Sequence, residues 1–120
     1  MLKQMNKMVY KATLKLKNRD YSIPFGMSTI GRSSKSTTVL EVDGLVGGSI
    51  SSIHAILYLD ENGLCVEDNC SRNGTYINNE RIGCTRTLMN GDKLGLGACE
   101  LQVRVRSNKL LEGLARLLGR

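Results

Sequence analysis

Apolar and polar residues alternate with period two over residues 9–17: Tyr10, Ala12, Leu14 and Leu16 fall on one side, and Lys11, Thr13, Lys15 and Lys17 on the other. That period belongs to a strand with one buried face. Asn18, Arg19 and Asp20 read as a turn; Tyr21, Ile23 and Phe25 resume the alternation, with Pro24 assigning this second strand to a sheet edge or a bulge. Further short strands are predicted over residues 28–30, 37–42, 53–59, 64–67, 75–77, 93–96 and 100–106. Between them stand Asp43-Gly44, Asp60-Glu61-Asn62-Gly63, Asn73-Gly74, Asn78-Asn79-Glu80 and Asn90-Gly91-Asp92, residue types that accept turn conformations refused by branched side chains. Short strands broken by such signals every 8 to 12 residues or so predict an all-β sandwich or barrel. Residues 31–48 are rich in Ser and Thr and predict an exposed loop.

Beyond residue 106 the period changes. Leu110, Leu111, Leu114, Leu117 and Leu118 share one face of a helix predicted over residues 107–120, with Ser107 or Asn108 to cap its start and Gly119 its finish. A helix this short is marginal alone in water and needs the sandwich, or a partner, to pack against. The expected organisation is a basic tail over residues 1–8, one β domain over residues 9–106 and the amphipathic helix over residues 107–120. A chain of 120 residues holds one such core and not two.

Composition narrows what the domain does. With four Tyr, one Phe and no Trp, the interior must be aliphatic, and stacking platforms for single-stranded nucleic acid are scarce. No apolar stretch is long enough to span a membrane, and the N-terminus lacks an apolar signal core. The four cysteines, Cys65, Cys70, Cys84 and Cys99, match neither a metal spacing nor a dense disulfide framework. Reduced thiols and a cytoplasmic location are the expectation. The net charge of +6 divides as +6 over residues 1–19, −4 over residues 20–103 and +4 over residues 104–120. Basic ends on a mildly acidic body predict no broad footprint for a polyanion and no specific nucleic acid partner.

Catalysis has little to stand on. The single histidine, His54, falls in a predicted apolar strand and reads as a structural residue, and the acidic residues are scattered rather than arranged for calcium. No metal and no cofactor are expected. What remains is a set of small polar residues in loops: Gly31-Arg32 after a strand, Ser51-Ser52 before His54, and Ser71-Arg72-Asn73-Gly74-Thr75 in a tight turn. Guanidinium groups, hydroxyls and backbone amides at glycines suit a phosphoryl group, which carries about −1.5 to −2 charges and three acceptor oxygens.

The order and spacing of Gly31-Arg32, Ser51-x-x-His54, Ser71-x-Asn73-Gly74-Thr75-x-x-Asn78, Gly91-Asp92 and Gly97 resembles the forkhead-associated (FHA) domain, a phosphothreonine-reading module. The resemblance implies an FHA/SMAD-like sandwich of two sheets and about eleven strands, with the ligand across loops at one end. It implies that Arg32 and Ser51 contact the phosphate, that Asn73 clasps the peptide main chain, and that Arg72 adds a second cation. It further implies that Ser52 donates a hydrogen bond at the same site, that His54 braces the loop from behind, and that Gly31, Ser71, Gly74, Thr75 and Asn78 shape the loops. Where the family often has Ser-Arg-x-His, this chain has Ser51-Ser52-Ile53-His54, which removes one cation. The separation of Arg32 and Ser51 also predicts a long, loose loop.

The function implied is a non-catalytic adaptor that captures a phosphothreonine placed on a partner protein by a Ser/Thr kinase. The alternative is an interaction module of the same fold that binds its partner without phosphate, as in a secretion or scaffold assembly. The C-terminal helix is a further expected contact.

Overall fold

A computed structural model describes residues 10–107. The tail over residues 1–8 lies outside the described residues, as does the predicted C-terminal helix apart from Ser107, which ends the last strand. Eleven strands and one short helix follow in the order β1 (Tyr10–Leu16), β2 (Arg19–Ile23), β3 (Gly26–Gly31), β4 (Thr38–Val39), α1 (Gly44–Gly48), β5 (Ala55–Asp60), β6 (Gly63–Asp68), β7 (Thr75–Ile77), β8 (Glu80–Arg81), β9 (Arg86–Leu88), β10 (Lys93–Leu96) and β11 (Cys99–Ser107). They form a six-stranded sheet ordered β2-β1-β11-β10-β7-β8 and a five-stranded sheet ordered β4-β3-β5-β6-β9. The architecture is the expected all-β sandwich.

Alternation explains the two-layer packing. Leu14 of β1 faces Val103 of β11 in register, and both are fully buried with Leu57, Leu64, Val66 and Leu94 between the sheets. No aromatic residue belongs to the fully buried set, and the one phenylalanine, Phe25, is exposed. β2 is an edge strand with Pro24 just past its end, where a missing N–H leaves no ladder bond unmade.

Three local readings change. The strand predicted over residues 37–42 shrinks to Thr38–Val39, paired in parallel with β3. The predicted Asp43-Gly44 turn instead opens α1, with Asp43 as its N-cap. The loop between Arg32 and Ser51 is not loose: Ser36, Thr38, Leu40, Gly47 and Ile50 along it are buried. Strands β8 and β9 escaped sequence reading because two or three residues are too few to show a period.

The connections β3–β4, β4–β5, β6–β7 and β10–β11 meet at one end of the sandwich. The Arg32 amide donates to the Ser51 carbonyl at 3.1 Å, the Gly97 amide to the Gly74 carbonyl at 3.0 Å, and the Ala98 amide to the Ser49 hydroxyl at 2.8 Å.

Candidate functional site

His54 sits at the centre of these loops, one residue before β5 and not within it as the sequence predicted. The strand starts late because the preceding backbone is engaged elsewhere. The Ser52 carbonyl accepts from the Ser33 amide at 3.0 Å and from the Ser36 hydroxyl at 2.8 Å. The His54 ring is fully buried. Its Nδ1 accepts from the Ser51 amide at 3.0 Å, so Nε2 carries the proton and donates to the Gly74 carbonyl at 2.8 Å. One imidazole thereby ties the Ser51 loop to the Asn73-Gly74 turn, with neither nitrogen left for proton transfer. Burial pushes its pKa below the ordinary value of 6.5, which the Gly74 bond and the Asp68 carboxylate oppose without reversing.

Asp68, which the sequence reading passed over, organises the next turn. Its Oδ1 accepts from the Ser71 and Thr75 hydroxyls and its Oδ2 from the Ser71 amide at 3.0 Å. Burial alone would raise the Asp68 carboxyl, but the bonds from Ser71 and Thr75 and the nearby His54 hold it below its ordinary value. The Ser71 hydroxyl in turn accepts from the Gly74 amide at 2.9 Å. The Ser71 and Thr75 hydroxyls thus hold this turn through Asp68. An Asp three residues before a Ser is a local hydrogen-bonding signature legible in the sequence.

The residues expected to touch a ligand each spend part of their polar capacity on this frame. The Arg32 Nε donates to the Ile50 carbonyl at 3.0 Å, which aims the side chain and leaves the two terminal nitrogens of an exposed guanidinium. The Ser51 hydroxyl accepts from the Arg72 amide at 3.0 Å, so its own hydrogen remains a donor. The Asn73 Nδ2 donates to the Ser49 carbonyl at 2.9 Å, which keeps one N–H and the amide oxygen for another partner. Arg72 and Ser52 are exposed beside them. Asn78 is not brought to this rim. Its side chain joins β7–β8 to β10, donating to Asp92 Oδ1 at 3.1 Å and accepting from the Lys93 amide at 2.9 Å.

Two further residues belong to the rim and gave little signal in the sequence. Ser49 links α1, the β10–β11 turn and Asn73 through its hydroxyl and carbonyl. Arg81 of β8 lies against Gly74, where an added methyl would stand 2.8 Å from its Nε. Only tertiary contact reveals either.

The FHA domain family model matches residues 28–97, over half of the chain, and the chain belongs to that family. No curated protein matches the sequence. Among solved structures, an FHA domain from work on phosphothreonine-dependent FHA domain interactions is 29% identical, with a TM-score of 0.69 over 78% of this chain and 95% of that one. The FhaA FHA domain complexed with the intracellular domain of Rv3910 is 27% identical, with a TM-score of 0.67 over 79% of this chain and 99% of that one. The yeast Dun1 FHA domain, bound to a doubly phosphorylated peptide derived from Rad53, is 26% identical, with a TM-score of 0.59 over 82% of this chain and 75% of that one. Among the described residues no His, Cys, Asp or Glu group is arranged to hold a metal, and no helix is long and apolar enough to cross a membrane.

Proposed function

We propose that this FHA domain is a non-catalytic adaptor that captures a phosphothreonine segment of a partner protein after a Ser/Thr kinase has modified it. Arg32 and Ser51 hold the phosphate, Ser52 and Arg72 add a donor and a cation at its edge, and Asn73 orients the peptide main chain. The observation that carries the reading is the divided use of Arg32, Ser51 and Asn73. One side-chain group of each is fastened to the loop frame, and the remaining side-chain groups have no protein partner among the described residues. Such preorganised donors suit an anion, since the cost of ordering them has been met in folding. Charge-assisted bonds from Arg32 and Ser51 have no counterpart for an unmodified threonine hydroxyl. The fold similarity to an FHA domain from work on phosphothreonine-dependent interactions, and to one solved in complex with a doubly phosphorylated peptide, supports the same reading.

Titration of the chain against a degenerate threonine peptide library, phosphorylated and unphosphorylated, tests it. Binding is expected for the phosphorylated pool alone, and Arg32→Ala should weaken it roughly ten- to a hundredfold. Equal binding of both pools, or an Arg32→Ala variant that binds like the parent, would assign the fold to phosphate-independent recognition instead.

A further inference from the structure

Read along the chain, the positive charge sits at two distant ends; strand pairing brings the described cations Lys11, Lys15, Arg104 and Arg106 together. β1 pairs antiparallel with β11 at the middle of the six-stranded sheet, so their outward side chains share one face. Lys11 stands directly opposite Arg106, and Thr13 opposite Arg104. Gln102 is flanked by Lys15 on one side and Lys93 on the other. A groove of about 350 Å³ runs between Lys15, Lys17, Lys93, Glu100 and Gln102. Asp20, opposite Lys15, and Glu100 are the acids on this face. Among the described residues the one Arg-carboxylate ion pair, Arg86 with Glu80, lies elsewhere, and none engages these cations. Like charges directly opposed across strands destabilise a sheet, so the Lys11–Arg106 pair works against folding.

The outer face of the five-stranded sheet is different. Met27, Thr29, Ile56, Tyr58, Cys65 and Thr87 line it, with Glu67 accepting a hydrogen bond from Tyr58. None of these outward positions carries a cation, in contrast to the β1–β11–β10 face.

We propose that the outer face of the β1–β11–β10 strands is a second docking surface, which takes an acidic segment of a partner protein and does not require phosphate. Cations two residues apart on one strand repeat at roughly 7 Å, the spacing of alternate side chains in an extended chain. Gln102, set between two lysines, offers an amide to that chain's backbone. Duplex nucleic acid is a poorer fit, because among the described residues no element projects from this face to enter a groove. Single strands lack aromatic platforms, Tyr76 being the outward aromatic on the neighbouring strand. A bilayer surface would require an apolar anchor beside the cations, whereas Thr13, Ser22 and Gln102 stand between them. The Lys11–Arg106 row lies at the end of β11 away from Cys99 and the Ser49 contact, so both surfaces can be occupied together.

The test is anisotropy titration of the full chain with labelled decaglutamate, with duplex DNA and phosphatidylserine vesicles in parallel. The parent should bind decaglutamate most tightly of the three, with an affinity that falls as salt rises. The variant Lys15→Gln/Arg104→Gln/Arg106→Gln should bind it about tenfold more weakly, and Gln102→Lys more tightly. In the triple variant phosphothreonine peptide binding should be unchanged and the urea midpoint equal or higher, because repulsion has been relieved. Unchanged decaglutamate affinity in the triple variant would assign binding to the basic tails and overturn the proposal. Absence of decaglutamate binding by the parent, or stronger binding of duplex or vesicles, would overturn it as well.

Discussion

Gly31 is a glycine for reasons of space rather than torsion. A methyl group there would stand 2.2 Å from the Ser52 carbonyl oxygen and 2.9 Å from the His54 amide nitrogen, both backbone atoms that cannot swing away. Gly31→Ala is therefore expected to cost about 2 kcal/mol or more and to impair ligand capture by displacing Arg32, as urea denaturation and peptide titration would show. Gly74 differs: its φ of +88° is the left-handed conformation that favours glycine, and the atoms nearest an added methyl belong to the movable Arg81 side chain. Replacing His54 by Ala leaves a buried void, strands the Ser51 N–H and leaves the Gly74 carbonyl with the Gly97 amide alone as partner. A loss of about 2–4 kcal/mol follows, readable as a lower urea midpoint. The His54 tautomer was not legible in the sequence, because it is set by the Ser51 amide and the Gly74 carbonyl, which only the fold brings to the two ring nitrogens.

At the scale of elements, the site depends on how α1 is seated. An added methyl on Gly47 would lie within bonding distance of the Val42 carbonyl, so the helix turns directly on the segment that leads to it. The Ser49 hydroxyl at the end of α1 accepts from the Ala98 amide at 2.8 Å. Ser49→Ala strands that amide and should destabilise by about 1 kcal/mol while weakening phosphopeptide binding several-fold, since the Ser49 carbonyl also holds Asn73; thermal melting and titration check the two effects separately. The long strands were readable because alternation persists for seven residues in β1 and nine in β11. The two-residue strands β4 and β8 exist only because a neighbour supplies their hydrogen bonds, and α1 carries three glycines within its five residues, a composition that reads as loop.

For the molecule as a whole, acid sensitivity follows from the two titrating groups of the site. The folded pKa of His54 lies below its ordinary value of 6.5, so the unfolded chain binds the extra proton first. The stability it contributes is complete above that value and is lost as pH falls below it toward the folded pKa. Asp68 acts lower: its contribution is complete above 3.8 and disappears as pH falls through its depressed folded pKa. Urea midpoints measured from pH 7.5 downward should decline in these two stages, and His54→Gln should remove the first. The cysteines are all unpaired, with Cys70 and Cys84 exposed and Cys99 buried. Burial pushes the Cys99 thiol up, so native-state maleimide labelling should modify Cys70 and Cys84 rapidly and Cys99 only on unfolding.

The sequence alone determined an all-β fold, sandwich or barrel, because period-two alternation and turn residues are local properties that survive without a neighbour; the family resemblance narrowed it to two sheets. It also marked the loop residues that we propose hold the phosphate, because their spacing is fixed by where strands end. The tertiary structure decided which polar atom of each residue is spent on the frame and which is left over, a question of a few tenths of an ångström between loops far apart in the chain. It also decided that Lys11, Lys15, Arg104 and Arg106 share one face, since strand pairing, and not sequence distance, sets which charges meet.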